Sequence, residues 1–374
     1  MRIAVNTRHL ISDSLEGIGR YTYETVKKLV NSHPEDTFYF YFDRNYDSRW
    51  IFADNIVPKV IKPPARHPIL FFLWYEILLP IFFKKDKIDV FYSPDGFLSL
   101  RSRVPTLVVT HDLAYLHFPE HLPLKHLWYY RYFVPKFLKR ADHIIAVSEY
   151  TKEDIRKQFN ISSSKVSVAY NSLPERDIDE NVNPRDYTHG SPYFIYIGSL
   201  HPRKNITGLI ESFNIFKKRY QTRHKLILIG RFAWRCDKIR KALQNSPYIS
   251  DILHLQRVPD RQVYSYIKHA DGMLYISLFE GFGIPVIEAM KFSVPVICSN
   301  VSSLPEVGGD AAIVVNPHDY HDIAEKMFEL VENKNLKEEL SVRAKLNLQR
   351  FDWQHSADII YAELVKLVKP NNVV

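Results

Sequence analysis

Two glutamates in one short run, Glu280 and Glu288 of E-G-F-G-I-P-V-I-E, are the carboxylates whose setting best suits chemistry. An apolar strand pattern over 272–279 precedes them. Gly281 and Gly283 let the backbone turn tightly and approach a ligand, and Pro285 suits the first turn of a helix. The free N–H groups at such a helix start can face phosphate or hydroxyls. Glu280 then sits on the loop at the strand end and Glu288 about one turn into the helix. Two carboxylates so placed can accept hydrogen bonds from separate parts of one polar ligand. A second run, Gly198-Ser-Leu-His-Pro-Arg-Lys-Asn205, follows a strand pattern at 193–197. Arg203 and Lys204 stand just before a helical pattern, where cations are unfavourable unless an anion joins them. A diphosphate is such an anion, held by Arg as a fork and by Lys as a point charge. On spacing alone, each run reads equally well as solvated surface charge.

Two further runs lie nearer the N-terminus. Gly17-Ile-Gly-Arg-Tyr21 opens a helix after the first strand. It is not the dinucleotide fingerprint, which needs glycine where Thr22 stands. This disfavours a nicotinamide enzyme and leaves a backbone able to press against phosphate or sugar. His111-Asp112 follows the strand at 106–110. A histidine at a strand end could bond sugar hydroxyls or shuttle a proton, or be satisfied by local backbone. Glu306 is read as structural. The sequence holds no HExxH, Walker lysine loop or EF-hand loop, and no Ser/His/Asp order for a nucleophile.

The elements that must position these residues alternate. Strand patterns fall at 2–6, 37–42, 88–93, 106–110, 143–148 and 165–169, then at 193–198, 225–230, 252–256, 272–277, 294–299 and 311–315, with helical patterns between many of them. Near-continuous apolar strands alternating with helices imply parallel sheets covered on both faces. A polar stretch at 173–191 reads as a linker. It separates residues 1–172 from 192–352, and a closing helix over about 353–370 is expected to rejoin the first part. The fold class is α/β, two doubly wound parallel-sheet domains, with the chemistry beyond the carboxyl ends of the strands.

The chain's 374 residues suit two such domains. Net charge is +8, spread over both halves without a long basic tail, which argues against nucleic acid. Cys236 and Cys298 make no CxxC, so neither a zinc site nor a disulfide framework is expected. The N-terminus begins directly as a strand without a signal-peptide pattern, so a cytoplasmic protein is expected. One apolar segment, 68–83, is too short and too interrupted by Glu76 and Pro80 to span a bilayer. It reads as a half-buried helix or as a patch (Phe71, Phe72, Trp74) dipping into an anionic membrane surface beside Lys84, Lys85 and Lys87.

Taken in order, the motifs EGIGRY at 16–21, THD at 110–112, VSEYTKEDI at 147–155, IGSLHPRKN at 197–205, EGFGIPVIEAM at 280–290 and SSLPEVGGDAA at 302–312 resemble those of glycosyltransferase family 4. These are retaining, sugar-nucleotide-dependent enzymes of the GT-B fold, with two Rossmann-like domains facing one cleft. The resemblance covers nearly the whole chain, and the Glu-x7-Glu element continuing as PVIEAM is its most specific part. It implies that Glu288 binds the nucleotide's ribose. Glu280 would hold hydroxyls of the transferred sugar, beside Phe282, Gly283 and Ile284. Arg203 and Lys204 would hold the diphosphate and stabilise the leaving group. Gly19 would lie near phosphates and acceptor, and His111 near the anomeric centre. Ser199 stands where many relatives carry arginine, which throws more of the diphosphate onto Arg203 and Lys204. Neither metal nor cofactor is implied.

The resemblance further implies a hexosyltransferase of surface-glycan assembly. The GIGRY and PRKN variants look mannosyltransferase-like, making GDP-mannose the first donor to expect. UDP-glucose, UDP-galactose or their N-acetyl forms are alternatives. The acceptor would be a glycan or polyprenyl-linked glycan, with the protein peripheral on the inner face of the cytoplasmic membrane. A sugar-nucleotide epimerase, a phosphorylase of the same architecture and a non-catalytic scaffold are the competing readings.

Overall fold

The computed structural model describes residues 1–11, 15, 17–65, 67–174, 178–179 and 182–368. Glu16 of the EGIGRY motif, parts of the 173–191 stretch and the end of the closing helix at 369–370 lie outside the described residues. The chain forms two compact units. One comprises Met1–Leu116, Leu124–Asn171 and the chain from Asp352 on; the other comprises His117–Pro123 and Ser172–Phe351.

The first unit is built on β1 (Arg2–Asn6), β2 (Thr37–Phe42), β3 (Ile56–Val60), β4 (Val90–Ser93), β5 (Thr106–Thr110), β6 (His143–Ala146) and β7 (Val166–Val168), in the order β3-β2-β1-β4-β5-β6-β7. The second is built on β8 (Tyr193–Ile197), β9 (Lys225–Ile229), β10 (Ile252–Leu255), β11 (Gly272–Tyr275), β12 (Val296–Ser299) and β13 (Ala312–Val315), in the order β10-β9-β8-β11-β12-β13. All pairings between these strands are parallel. β4, β5, β6 and β11 are buried along their whole length, as strands covered on both faces must be. Strand order reverses at β1/β4 in one sheet and at β8/β11 in the other. In doubly wound sheets such switch points open a crevice beyond the strand C-termini.

Helices that matter for the site are α1 (Gly17–Ser32), α2 (Pro68–Leu73), α3 (Leu79–Asp86), α4 (Leu124–Arg140), α5 (Ile206–Tyr220), α6 (Ile284–Lys291) and α7 (Trp353–Val368). The twelve strands read from the sequence are present, several one or two residues shorter. β3 is the addition. It carries Pro58 and Lys59 and pairs only with β2, so it is an edge strand, where proline is tolerated and the apolar signal is diluted. α7 packs on α1 of the first unit: the Tyr21 and Trp353 rings meet edge-on at 5.7 Å, and His33 stacks on Tyr361. Within 173–191, Pro184–Thr188 forms a short helix.

The apolar segment is helical from Pro68 to Asp86, with one π turn at Trp74–Leu78 joining α2 to α3. Of the three aromatic residues read as a membrane patch, two face inward. Trp74 is fully buried, its indole N–H donating to the Ile61 carbonyl at 3.0 Å. Phe71 is half-buried between Tyr75, Phe97 and Tyr129. Helical periodicity turns these rings inward and leaves Ile69, Phe72, Ile77 and Ile81 exposed. Among the described residues no helix is long and apolar enough to cross a membrane.

Candidate functional site

In the second unit, β8 and β11 are neighbours, and the two motifs that follow them meet. Past β8 the backbone turns at Gly198 (φ +145°), and past β9 at Gly230 (φ +146°). A Cβ on Gly230 would lie 2.0 Å from the Gly198 carbonyl oxygen, so two loop backbones pass closer than any side chain permits. Beyond them Pro202–Lys204 forms a 3-10 turn capped by His201, whose Nδ1 accepts from the Arg203 N–H at 3.2 Å. Asn205, left-handed, then opens α5.

This turn aims Arg203 and Lys204 at the loop after β11. Lys204 Nζ donates to both carboxylate oxygens of Glu280, 2.7 Å from Oε2, and lies 3.3 Å from the Tyr275 hydroxyl. Arg203 donates to the Phe279 carbonyl at 2.8 Å and stands 3.6 Å from Glu280. Glu280 is itself fixed by Ser302, whose hydroxyl accepts its N–H at 3.0 Å, and by Ser303, whose hydroxyl donates to the carbonyls of Glu280 and Phe282 at 3.0 and 2.9 Å. Burial opposes ionisation of Glu280. The charges of Lys204 and Arg203 outweigh it and hold the pKa below the ordinary carboxyl value.

The cations act on their histidine neighbours in the opposite sense. Burial, then the charges of Arg203 and Lys204, push His201 down to about 4. His121, its ring 5.5 Å from that of His201, is lowered by burial and by Arg203 and Arg235. Two imidazoles are thus kept neutral beside two permanent cations that share one carboxylate. A site so biased favours an anion.

Glu288 follows on α6, which Gly283 opens at φ +107°. A Cβ on Gly283 would meet Leu304 at 2.6 Å, so this turn requires glycine. Glu288 is buried. Ile284 and Pro285 form the first turn of α6 and Phe282 precedes it, its buried ring edge-on to Phe351 at 5.5 Å. Ser199 is exposed on the loop, and its carbonyl accepts from the Tyr196 hydroxyl at 3.2 Å.

The first unit places His111 just past β5. Its Nε2 lies 2.7 Å from the Pro94 carbonyl oxygen. That oxygen can only accept, so Nε2 carries the proton and Nδ1 of the neutral ring is left as an acceptor. Burial lowers the His111 pKa against the opposing pull of that carbonyl and of Asp112, so the neutral form prevails. The Tyr21 ring meets it edge-on at 5.0 Å. Gly19 lies where α1 crosses the preceding loop: a Cβ there would sit 2.6 Å from the His9 carbonyl oxygen.

Residues 177–347 match the family described as "Glycosyl transferases group 1", and residues 15–175 match "Glycosyltransferase Family 4". The chain belongs to the family 4 glycosyltransferases. This glycosyltransferase is 28% identical over 358 residues to "O-antigen chain mannosyltransferase B" of Escherichia coli, covering 91% of this chain and 93% of that one. It is 28% identical to "O-antigen chain mannosyltransferase RfbU" of Salmonella typhimurium over 71% of each chain. Its fold is that of a sucrose-phosphate synthase from Thermosynechococcus elongatus, with TM-score 0.75 at 14% identity over 99% of this chain and 100% of that one.

Within the second unit of the glycosyltransferase, Arg203, Lys204 and Glu280 are drawn together, and Phe282, Gly283, Ile284 and Glu288 continue the same loop and helix. His111 and Gly19 belong to the first unit. Sequence reasoning missed Tyr275, Tyr196, His201, Ser302 and Ser303. Three of them lie inside motifs already singled out, where polar residues beside a candidate carboxylate were the available signal. The two tyrosines were read as strand; their rings stack at 5.9 Å across β8 and β11. Also missed were Arg8 and Asp95, a buried ion pair at 2.7 Å beyond the ends of β1 and β4.

Proposed function

We propose that this glycosyltransferase moves a hexose, with retention, from a nucleotide-sugar donor to a glycan or polyprenyl-linked glycan in surface-polysaccharide assembly. The observation that carries the donor reading is the grouping at Glu280: two half-buried cations meet on one carboxylate while adjacent histidines stay neutral. A diphosphate is an anion that such an Arg and Lys pair can hold together. Arg203 and Lys204 would neutralise it as the glycosidic bond breaks, in the role a metal fills elsewhere, so no metal or cofactor enters the reading. Glu288 would take the ribose hydroxyls, Glu280 the sugar hydroxyls, and Phe282, Gly283 and Ile284 would offer backbone beside them. Ser199 and Gly19 would flank the phosphates. His111, with its acceptor Nδ1, would receive a sugar hydroxyl near the anomeric carbon. The acceptor oxygen attacks that carbon from the face the diphosphate leaves, and its proton passes to a phosphate oxygen. Names of relatives favour mannose, and GDP-mannose is the first donor proposed, ahead of UDP-hexoses and ahead of epimerisation. The protein would work in the cytoplasm, peripheral to an anionic membrane face.

The test is a thermal-shift screen against GDP, UDP, ADP and their sugar conjugates, since a ligand bound only by the folded state raises the melting temperature. GDP-selective stabilisation that is lost in Glu288→Ala and Lys204→Ala is expected. Selectivity for UDP would replace the mannose reading. Failure of every nucleotide to stabilise a folded protein would overturn the donor site. Donor consumption without any acceptor would favour the epimerase.

A further inference from the structure

On α4 the residues at intervals of four, Leu124, Trp128, Tyr132 and Lys136, form one solvent-facing stripe. Leu124 is 76%, Trp128 65% and Tyr132 48% exposed. The Trp128 and Tyr132 rings lie parallel, 5.5 Å apart at 3°, and Lys136 Nζ sits 3.4 Å from the Tyr132 ring centroid. The neighbouring α2 touches this helix through Phe71, edge-on to Tyr129 at 5.5 Å. It adds Ile69 and Phe72, with Arg101 over the Phe72 ring at 5.6 Å.

The charges on these segments are one-sided. Lys84, Lys85, Lys87, Lys125, Arg131, Lys136 and Lys139 are exposed. α4 contains no carboxylate, and the two within 68–87 are buried. Glu76 accepts from the Leu100 and Arg101 N–H groups at 3.0 and 3.1 Å, and Asp86 accepts from the Tyr41 hydroxyl at 2.8 Å. Stacked Trp and Tyr rings with cations beside them and no exposed acid match the headgroup level of an anionic bilayer, where amphipathic rings settle and lysines meet lipid phosphate.

We infer that α4, with α2 at its side, is the membrane-docking face of the first unit, and that Trp128 and Tyr132 enter the headgroup layer of an anionic bilayer. This deepens the peripheral-membrane part of the proposed function through a different element. It is tested without donor or acceptor, so its failure leaves the transfer reading standing.

The test is flotation of the full chain with phosphatidylcholine vesicles, with and without phosphatidylglycerol. Of the five tryptophans, Trp50, Trp74 and Trp353 are buried and Trp128 and Trp234 exposed. A Trp234→Phe variant therefore makes Trp128 the reporter for emission. Binding to the anionic vesicles only, weakened by salt, with a blue shift of Trp128, is expected. Trp128→Ser with Tyr132→Ser should weaken binding by about tenfold or more while the melting temperature holds. Lys125→Glu with Lys136→Glu provides an independent second variant and should do the same. Wild-type protein that ignores anionic vesicles, or variants that bind as well as wild type, would overturn the inference. So would lipid-free dimerisation abolished by the double aromatic substitution, which would assign the stripe to a second copy of the chain.

Discussion

Arg8 in the first unit and Lys204 in the second are both cations withdrawn from water beyond a strand end, yet their surroundings differ. Arg8 is matched by Asp95 at 2.7 Å and enclosed by the rings of Phe71, Trp74, Tyr75 and Phe97, whose centroids lie 5.0–5.9 Å from its guanidinium carbon. Burial opposes the Asp95 charge, but Arg8 and His9 hold its pKa well below the usual carboxylate range. Lys204 shares Glu280 with Arg203, and burial together with the local field discharges His201. A matched and walled-in pair is a fixture of the fold. Two cations brought together on one carboxylate, with neutral imidazoles around them, make surroundings that favour a ligand's negative charge. Burial alone would not have told the two apart.

The comparison is most exposed to Lys204→Ala. Transfer rates from a radiolabelled nucleotide sugar should fall about 10²- to 10³-fold, the loss expected when one preorganised group facing developing charge is removed. Arg8→Ala should act on the fold instead. An unpaired Asp95 in an aromatic enclosure should lower stability by about 3 kcal/mol, read from the urea midpoint, while donor KM in the folded protein stays unchanged. A donor KM that moved as far as in Lys204→Ala would erase the distinction. Glu288→Gln keeps shape and removes charge. It should raise donor KM about tenfold, on the scale of one charge-assisted hydrogen bond of about 1.5 kcal/mol, with kcat little changed. The last effect concerns pH. His201 titrates near 4 when folded and about 6.5 when unfolded, so the unfolded chain binds the extra proton first. Stability should therefore rise with pH between those values. His201→Asn should flatten that part of the stability profile, measured as urea midpoints from pH 4 to pH 7.

Much of this was legible in the residues. The strand–loop–helix order around 198–205 and 280–288 follows from glycine, proline and apolar runs, which are local signals. What escaped depends on which strands become neighbours. Asp95 lies 87 residues from Arg8, and only the pairing of β1 with β4 makes them partners. Tyr196 and Tyr275 look like ordinary strand residues until β8 is seen beside β11. His111 could be put at a strand end, but its tautomer depends on a carbonyl 17 residues away. Phe71, Phe72 and Trp74 read alike as grease, and only helix phase separates the two inward-facing rings from the exposed one.

The path of the chain sets the order in which the two units can be completed. α7, at 353–368, packs on α1 and hydrogen-bonds the first unit through Ser356 to the Tyr170 carbonyl and Tyr361 to Asp36, at 2.7 and 2.8 Å. During synthesis the second unit, up to Phe351, is therefore finished before the first receives its last helix. The part translated first is completed last, and it must wait with the flank of α1 uncovered while about 180 residues emerge at some 5–20 per second. A nascent chain that has emerged as far as residue 350 would hold a closed second unit and an open first one, the form in which a chaperone would meet this protein.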